Sequence, residues 1–126
     1  MKKIIFTENA PMPIGPYSQA VLSGNTLYTS GQIAIDPKTS ELVLGSIETE
    51  TRRVMQNLEA VLSAAGMSFA DVVKTTIFLT DMNDFVKING VYGSFFDEKF
   101  APARETVQVS VLPKNVNVEI SMIAQK

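Results

Sequence analysis

Arg104 and Glu119 are the two residues whose types and spacing could do chemistry together. A guanidinium is always charged and can grip a carboxylate with two parallel hydrogen bonds, fixing position and orientation at once; lysine cannot. A glutamate whose pKa is lifted by partial burial can take a proton from water near neutral pH. Together they suit a small anionic substrate held beside a general base. Arg104 stands in Phe100-Ala101-Pro102-Ala103-Arg104, ahead of two alternating segments, residues 106–112 and 116–123, and Glu119 lies in the second. If these segments pair as a hairpin across Pro113-Lys114-Asn115, Arg104 has the parity of Thr106 and shares a sheet face with Glu119. From spacing alone, an ion pair at a surface or interface remains an alternative for Arg104. A solvated strand position remains one for Glu119.

A second group of polar residues lies nearer the start. Tyr17 follows a loop stiffened by Pro11, Pro13 and Pro16, and Ser30-Gly31 interrupts a strand-like stretch. A glycine inside a strand often marks the close approach of a ligand or another backbone. The Gly31 amide could then donate to a bound anion, beside the Ser30 and Tyr17 hydroxyls. A β-bulge with a buried tyrosine is the competing reading.

The composition removes several mechanisms. Histidine, cysteine and tryptophan are absent, so thiol nucleophiles, disulfides and a Ser-His-Asp arrangement are excluded. Glu48, Glu50, Asp81 and Asp84 fit no metal-binding loop spacing, and helix capping explains Asp81 and Asp84 better; no metal is expected. A net charge of −2 gives no basic footprint, and no nucleic-acid partner is expected. The 126 residues suit a single domain spanning 1–126. The apolar run Ile4-Ile5-Phe6 is too short for an export signal, and no stretch approaches the ~18 apolar residues of a membrane span. A cytoplasmic protein without membrane association is the expectation.

The elements that must position these groups follow from pattern. Residues 3–6, 17–22 and 27–35 read as strands, with Ser23-Gly24-Asn25 as a turn. Residues 46–65 read as a helix, since Val54, Leu58, Val61, Leu62 and Ala65 recur at helical spacing and Gly66 stops the run. Residues 72–79 are β-rich. Asp81 to Asp84 supply caps for a second helix with the stripe Phe85, Ile88, Tyr92, Phe95 and Phe96. The order β-β-β-α-β-α-β-β predicts an α+β fold, one mixed sheet with two helices on one face. Alternation in 106–112 and 116–123 directs Val107, Val109, Val111, Val116, Val118, Ile120 and Met122 toward the helices. The opposite face, mixed in character, is expected to pack against other copies of the chain.

Several ordered motifs carry a resemblance over essentially the full length. They are Ile14-Gly15-Pro16-Tyr17-Ser18-Gln19-Ala20, Thr29-Ser30-Gly31-Gln32-Ile33, Asn57-Leu58 with Ala64-Ala65-Gly66, Asp81-Met82-Asn83-Asp84-Phe85, Pro102-Ala103-Arg104, and Leu112-Pro113-Lys114-Asn115-Val116-Asn117-Val118-Glu119-Ile120. The chain resembles the RidA/YjgF family of reactive intermediate deaminases, also named the endoribonuclease L-PSP family. The resemblance implies a chorismate-mutase-like fold, a homotrimer with clefts between subunits, and hydrolysis of 2-imino acids or their enamines, such as 2-iminobutanoate and 2-iminopropanoate, to 2-keto acids and ammonia. It implies that Arg104 clamps the substrate carboxylate and Glu119 activates the water. It implies too that Tyr17, Ser30, Gly31 and Asn89 line the cleft and that the Thr106 backbone meets the imine nitrogen. No cofactor is implied, because the reaction is neither redox nor carbanion chemistry. Three positions depart from the family pattern: Thr106 where many members carry cysteine, Ser121 where a glutamate is commoner, and Glu50 where a glutamine is common. A translation-blocking ribonuclease and a non-enzymatic metabolite-binding trimer are the rival readings. Glu119 would be dispensable in the second.

Overall fold

The computed structural model describes residues 2–126. Six strands form one mixed sheet: β1 (Lys2–Ile5), β2 (Ala20–Ser23), β3 (Thr26–Thr29), β4 (Val72–Leu79), β5 (Ala103–Gln108) and β6 (Val118–Gln125). Their spatial order is β1-β2-β3-β6-β4-β5. Two helices, α1 (Ile47–Ala64) and α2 (Phe85–Gly93), cover one face. This is the α+β arrangement that the element order predicts and the chorismate-mutase-like fold that the resemblance implies.

Helix α1 begins where Ser46 Oγ accepts from the Thr49 N–H at 3.1 Å, with Glu48 and Glu50 in the first turn. It ends at Gly66, whose φ of 72° suits glycine, while the Met67 N–H closes back onto the Leu62 carbonyl. Its buried stripe, Val54, Met55, Leu58, Val61 and Leu62, packs on Val118, Ile120, Met122 and Ala124 of β6 and on Leu27, Ile77 and Leu79. The alternation in β6 therefore points inward as expected.

The hairpin between the last two segments does not form. β6 inserts antiparallel between β3 and β4, and β5 lies parallel to β4 at the sheet edge. A parallel neighbour needs a crossover, and residues 80–102 with α2 supply it. The register pairs Arg104 with Thr75 and Thr106 with Ile77. Thr75 and Ile77 are buried under the helices, so it is Arg104 and Thr106 that share the helix-covered side. Val107 and Val111 are exposed, opposite to the expected parity. The expected strand 27–35 is also interrupted: β3 stops at Thr29, and pairing resumes only as isolated bridges at Gln32 and Ile35.

Asn57, fully buried in α1, secures that interrupted segment. Its Nδ2 donates to the carbonyls of Ile33 (3.1 Å) and Ile35 (3.0 Å), and its Oδ1 accepts from Arg53 Nε. Replacing it leaves two part-buried carbonyls without donors, which costs about 1–3 kcal/mol. Asn57→Ala should lower stability by about 2 kcal/mol in urea unfolding; a change below ~0.5 kcal/mol would mean the segment holds itself.

Candidate active site

The sequence-selected residues fall into two clusters. The first lies on the sheet face that the helices leave open. Glu119 reaches this face because its register partner is Phe78, one parity away from buried Leu79 and Ile77. Beside it the chain breaks from β6 after Thr29, whose Oγ1 accepts from the Met122 N–H at 2.9 Å. The chain returns where Gln32 and Ile120 exchange both backbone hydrogen bonds. Ser30 and Gly31 occupy the gap. A Cβ built on Gly31 would lie 2.7 Å from Glu119 Cδ, so the glutamate side chain rests directly on the glycine. Space, not backbone strain, is what demands glycine here.

Ser30 is itself anchored, its N–H on the Gln19 carbonyl and its Oγ donating to Ser18 O at 2.6 Å. Tyr17 is exposed, its loop turned by Gly15 at φ 117°, which removes the buried-tyrosine alternative. The Gly31 amide enters none of the backbone hydrogen bonds among the described residues. Tyr17, Ser30, Gly31 and Glu119 line one cavity of about 520 Å³, with Ile33 and Lys114 also on its wall. Burial pushes the Glu119 carboxyl above its ordinary range. A larger groove of about 810 Å³ over α1 carries Glu59 and no cation, and lacks this convergence.

The second cluster sits at the β5 edge on the helix side. Arg104 Nη1 donates to Asn89 Oδ1 of α2 at 2.7 Å. Its guanidinium lies 5.7 Å from the Phe85 ring centroid and 5.1 Å from that of Tyr92, within cation–π range. The Tyr92 hydroxyl donates to Thr75 Oγ1, and burial raises its pKa. Among the described residues Arg104 has no carboxylate partner; the ion pair found is Lys74 with Glu105. The Thr106 hydroxyl is buried without a hydrogen-bond partner.

The expectation that Arg104 and Glu119 share a face is therefore overturned. With Arg104 aligned to Thr75 and Glu119 to Phe78, pleating directs them to opposite sides of the sheet. One chain thus offers an arginine half-site and a glutamate half-site that cannot close on the same small molecule. Two contributors had no role assigned from the sequence. Lys114 lines the glutamate cavity from a left-handed turn. Glu50 is buried at the root of β6. No cluster of acidic side chains suited to a metal lies among the described residues.

A carboxyl with a raised pKa favours the folded state only while it is protonated. That contribution is complete below the unfolded value and is lost as pH rises through the folded one. Glu119→Gln should therefore be more stable than the parent at pH 8. The two should converge below about pH 4, where the unfolded carboxyl is also protonated. Thermal midpoints across pH check this; a parent more stable at pH 8 would mean that the charge is compensated.

The comparisons agree on one kinship. The family model described as Endoribonuclease L-PSP matches residues 7–126. A RutC family protein of Pyrococcus horikoshii is 58% identical over 126 residues, covering 100% of this chain and 99% of the relative. The 2-iminobutanoate/2-iminopropanoate deaminase of Escherichia coli K12 is 48% identical over 126 residues, covering 98% of each. Among solved structures, E. coli TdcF with bound serine superposes with a TM-score of 0.93 at 47% identity, covering 98% of each chain. With the family model matching residues 7–126 and these relatives covered almost end to end, this chain belongs to the RidA/YjgF family, the endoribonuclease L-PSP family.

Proposed function

We propose that this protein is a cytoplasmic deaminase that hydrolyses 2-imino acids, 2-iminobutanoate and 2-iminopropanoate among them, to 2-keto acids and ammonia. We infer that it works as a homotrimer, the arginine half-site of one subunit meeting the glutamate half-site of the next. The observation that carries this reading is the pair of incomplete, complementary half-sites: an arginine without a carboxylate partner among the described residues, and a carboxyl made basic by burial, resting on Gly31. A second copy is the simplest way to join them. The uncovered face favours association too, since Ile4, Val21, Tyr28 and Ile123 align in one apolar row across four strands. The deaminase name of the E. coli relative supports the chemistry.

In this mechanism Arg104, steadied by Asn89, binds the substrate carboxylate and fixes the imine carbon in place. The protonated imine is already electrophilic. Glu119 removes a proton from water as the oxygen attacks that carbon, giving a carbinolamine. The same carboxyl then gives that proton to nitrogen and takes the hydroxyl proton as the C–N bond breaks, so the keto acid forms, and the ammonia carries this proton away as ammonium and restores the carboxylate. The Gly31 amide, the Tyr17 and Ser30 hydroxyls and the Thr106 backbone complete the polar lining. Every step is acid–base chemistry, so no cofactor is needed. The ribonuclease reading has less to stand on, since the chain has no histidine and a net charge of −2.

Ammonia release from freshly generated 2-iminobutanoate tests the reading. Arg104→Lys should lower kcat/KM by about 10–100-fold while the fold persists, because a bidentate, charge-assisted contact is lost. Near-parental activity would remove Arg104 from the mechanism. Glu119→Gln should reduce kcat by about 100-fold or more with little change in KM. An unchanged kcat would leave Glu119 structural and favour a binding role for the cleft. Gly31→Ala, which forces the carboxyl aside, should mimic the Glu119 loss at near-parental stability, with crystallography revealing the rotated side chain.

A further inference from the structure

Glu50 is the most thoroughly engaged buried charge that the mechanism leaves unused. It lies in the first turn of α1 and is 1% exposed. No lysine or arginine pairs with it among the described residues. Its partners are N–H groups at the root of β6. Oε2 accepts from the backbone N–H of Asn117 at 2.7 Å and of Val118 at 3.2 Å, and Oε1 accepts from Asn117 Nδ2 at 2.8 Å. Three donors thus converge on two acceptor oxygens, and an acidic side chain suits the first turn of a helix. An apolar side chain here would leave all three donors without an acceptor.

These contacts bear on the site through the chain. The Asn117 carbonyl accepts from the Thr80 N–H at 3.1 Å. Asn117 is thus held from both sides, by α1 and by the end of β4. Upstream, Lys114 and Asn115 both stand at φ 56°, a left-handed conformation disfavoured for lysine. Downstream, two residues on, is Glu119. Pro113, Lys114 and Glu119 line the same cavity. The grip of Glu50 therefore falls between a strained turn that walls the cavity and the carboxyl proposed to act in it.

We propose that Glu50 is a positioning residue: its buried carboxylate fixes Asn117 and Val118, and so sets where Glu119 meets the reacting water. The inference rests on the reading of Glu119 as the base. Small displacements of a reacting group reduce turnover more than they loosen a substrate held elsewhere. The arginine half-site, which holds the substrate carboxylate, does not touch Glu50.

The test is Glu50→Met, assayed on 2-iminobutanoate with the assembled protein. The expected result is a kcat lower by about tenfold, KM within about twofold, and a displaced pH profile for kcat. Glu50→Gln keeps an acceptor for the two backbone N–H groups, and the Asn117 side-chain amide can turn over to accept from the new NH₂, so this variant should keep most of the parental kcat. Asn117→Ala, which removes only the side-chain contact, should give a smaller loss of about threefold and serves if Glu50→Met does not fold. A folded Glu50→Met protein with parental kcat and pH profile, an Asn117→Ala protein with parental kcat, or a Glu50→Gln protein as slow as Glu50→Met would overturn the assignment. If the parent itself hydrolyses no imino acid, the function proposed above fails. The positioning role is then decided by NMR titration of the Glu119 carboxyl, which Glu50→Met must shift and which a coincident curve would refute.

Discussion

The registers of two strand pairings to β4 decide where Arg104 and Glu119 stand. Because β5 lies beside β4 with Arg104 opposite Thr75, the guanidinium stands on the helix side of the sheet. Because β6 meets β4 with Glu119 opposite Phe78, the carboxyl stands on the other. A shift of one residue in either pairing would reverse a side chain, and buried Thr75, Ile77 and Leu79 prevent that shift. The hydrophobic layer thus fixes the two side chains apart within a chain. On the proposed reading, association of copies is then a requirement of the chemistry.

Each half is preorganised by ordinary packing. Arg104 is flanked by two aromatic rings and tied to Asn89, which limits its freedom before any anion arrives. Glu119 rests on a glycine, in a gap made where a threonine hydroxyl replaces a backbone partner. Behind both lie buried polar side chains that act on the backbone. Asn57 holds the segment after Gly31, and Glu50 holds the segment before Glu119. Helix α1 therefore secures both segments that frame the glutamate cavity.

Much of this was legible in the sequence, and the misses have physical causes. The extent of α1 follows from its apolar spacing and from Gly66, and β4 matches its β-rich run. The inward parity of β6 follows from its alternation. The last strand pairing does not, because local pattern identifies strands without choosing their partners. β6 traded a sequence neighbour for two long-range ones, and the valines of the preceding segment were left outward as β5 became an edge. The importance of Ser30-Gly31 was readable, but the reason for it, contact with Glu119, needed the fold. Glu50 carried a signal that could have been used: it stands four residues before Val54, on the same helical stripe as Leu58 and Leu62. A carboxylate at a core position announces buried donors.

Subunit complementation tests the central claim most directly. Arg104→Ala and Glu119→Ala should each be inactive alone in imine hydrolysis. Co-assembled in equal amounts, they should regain activity at about a quarter of the parental level, because random mixing restores that share of junctions with both groups intact. Mixed assemblies, verified by mass, that remain inactive would contradict a site shared between copies of this chain.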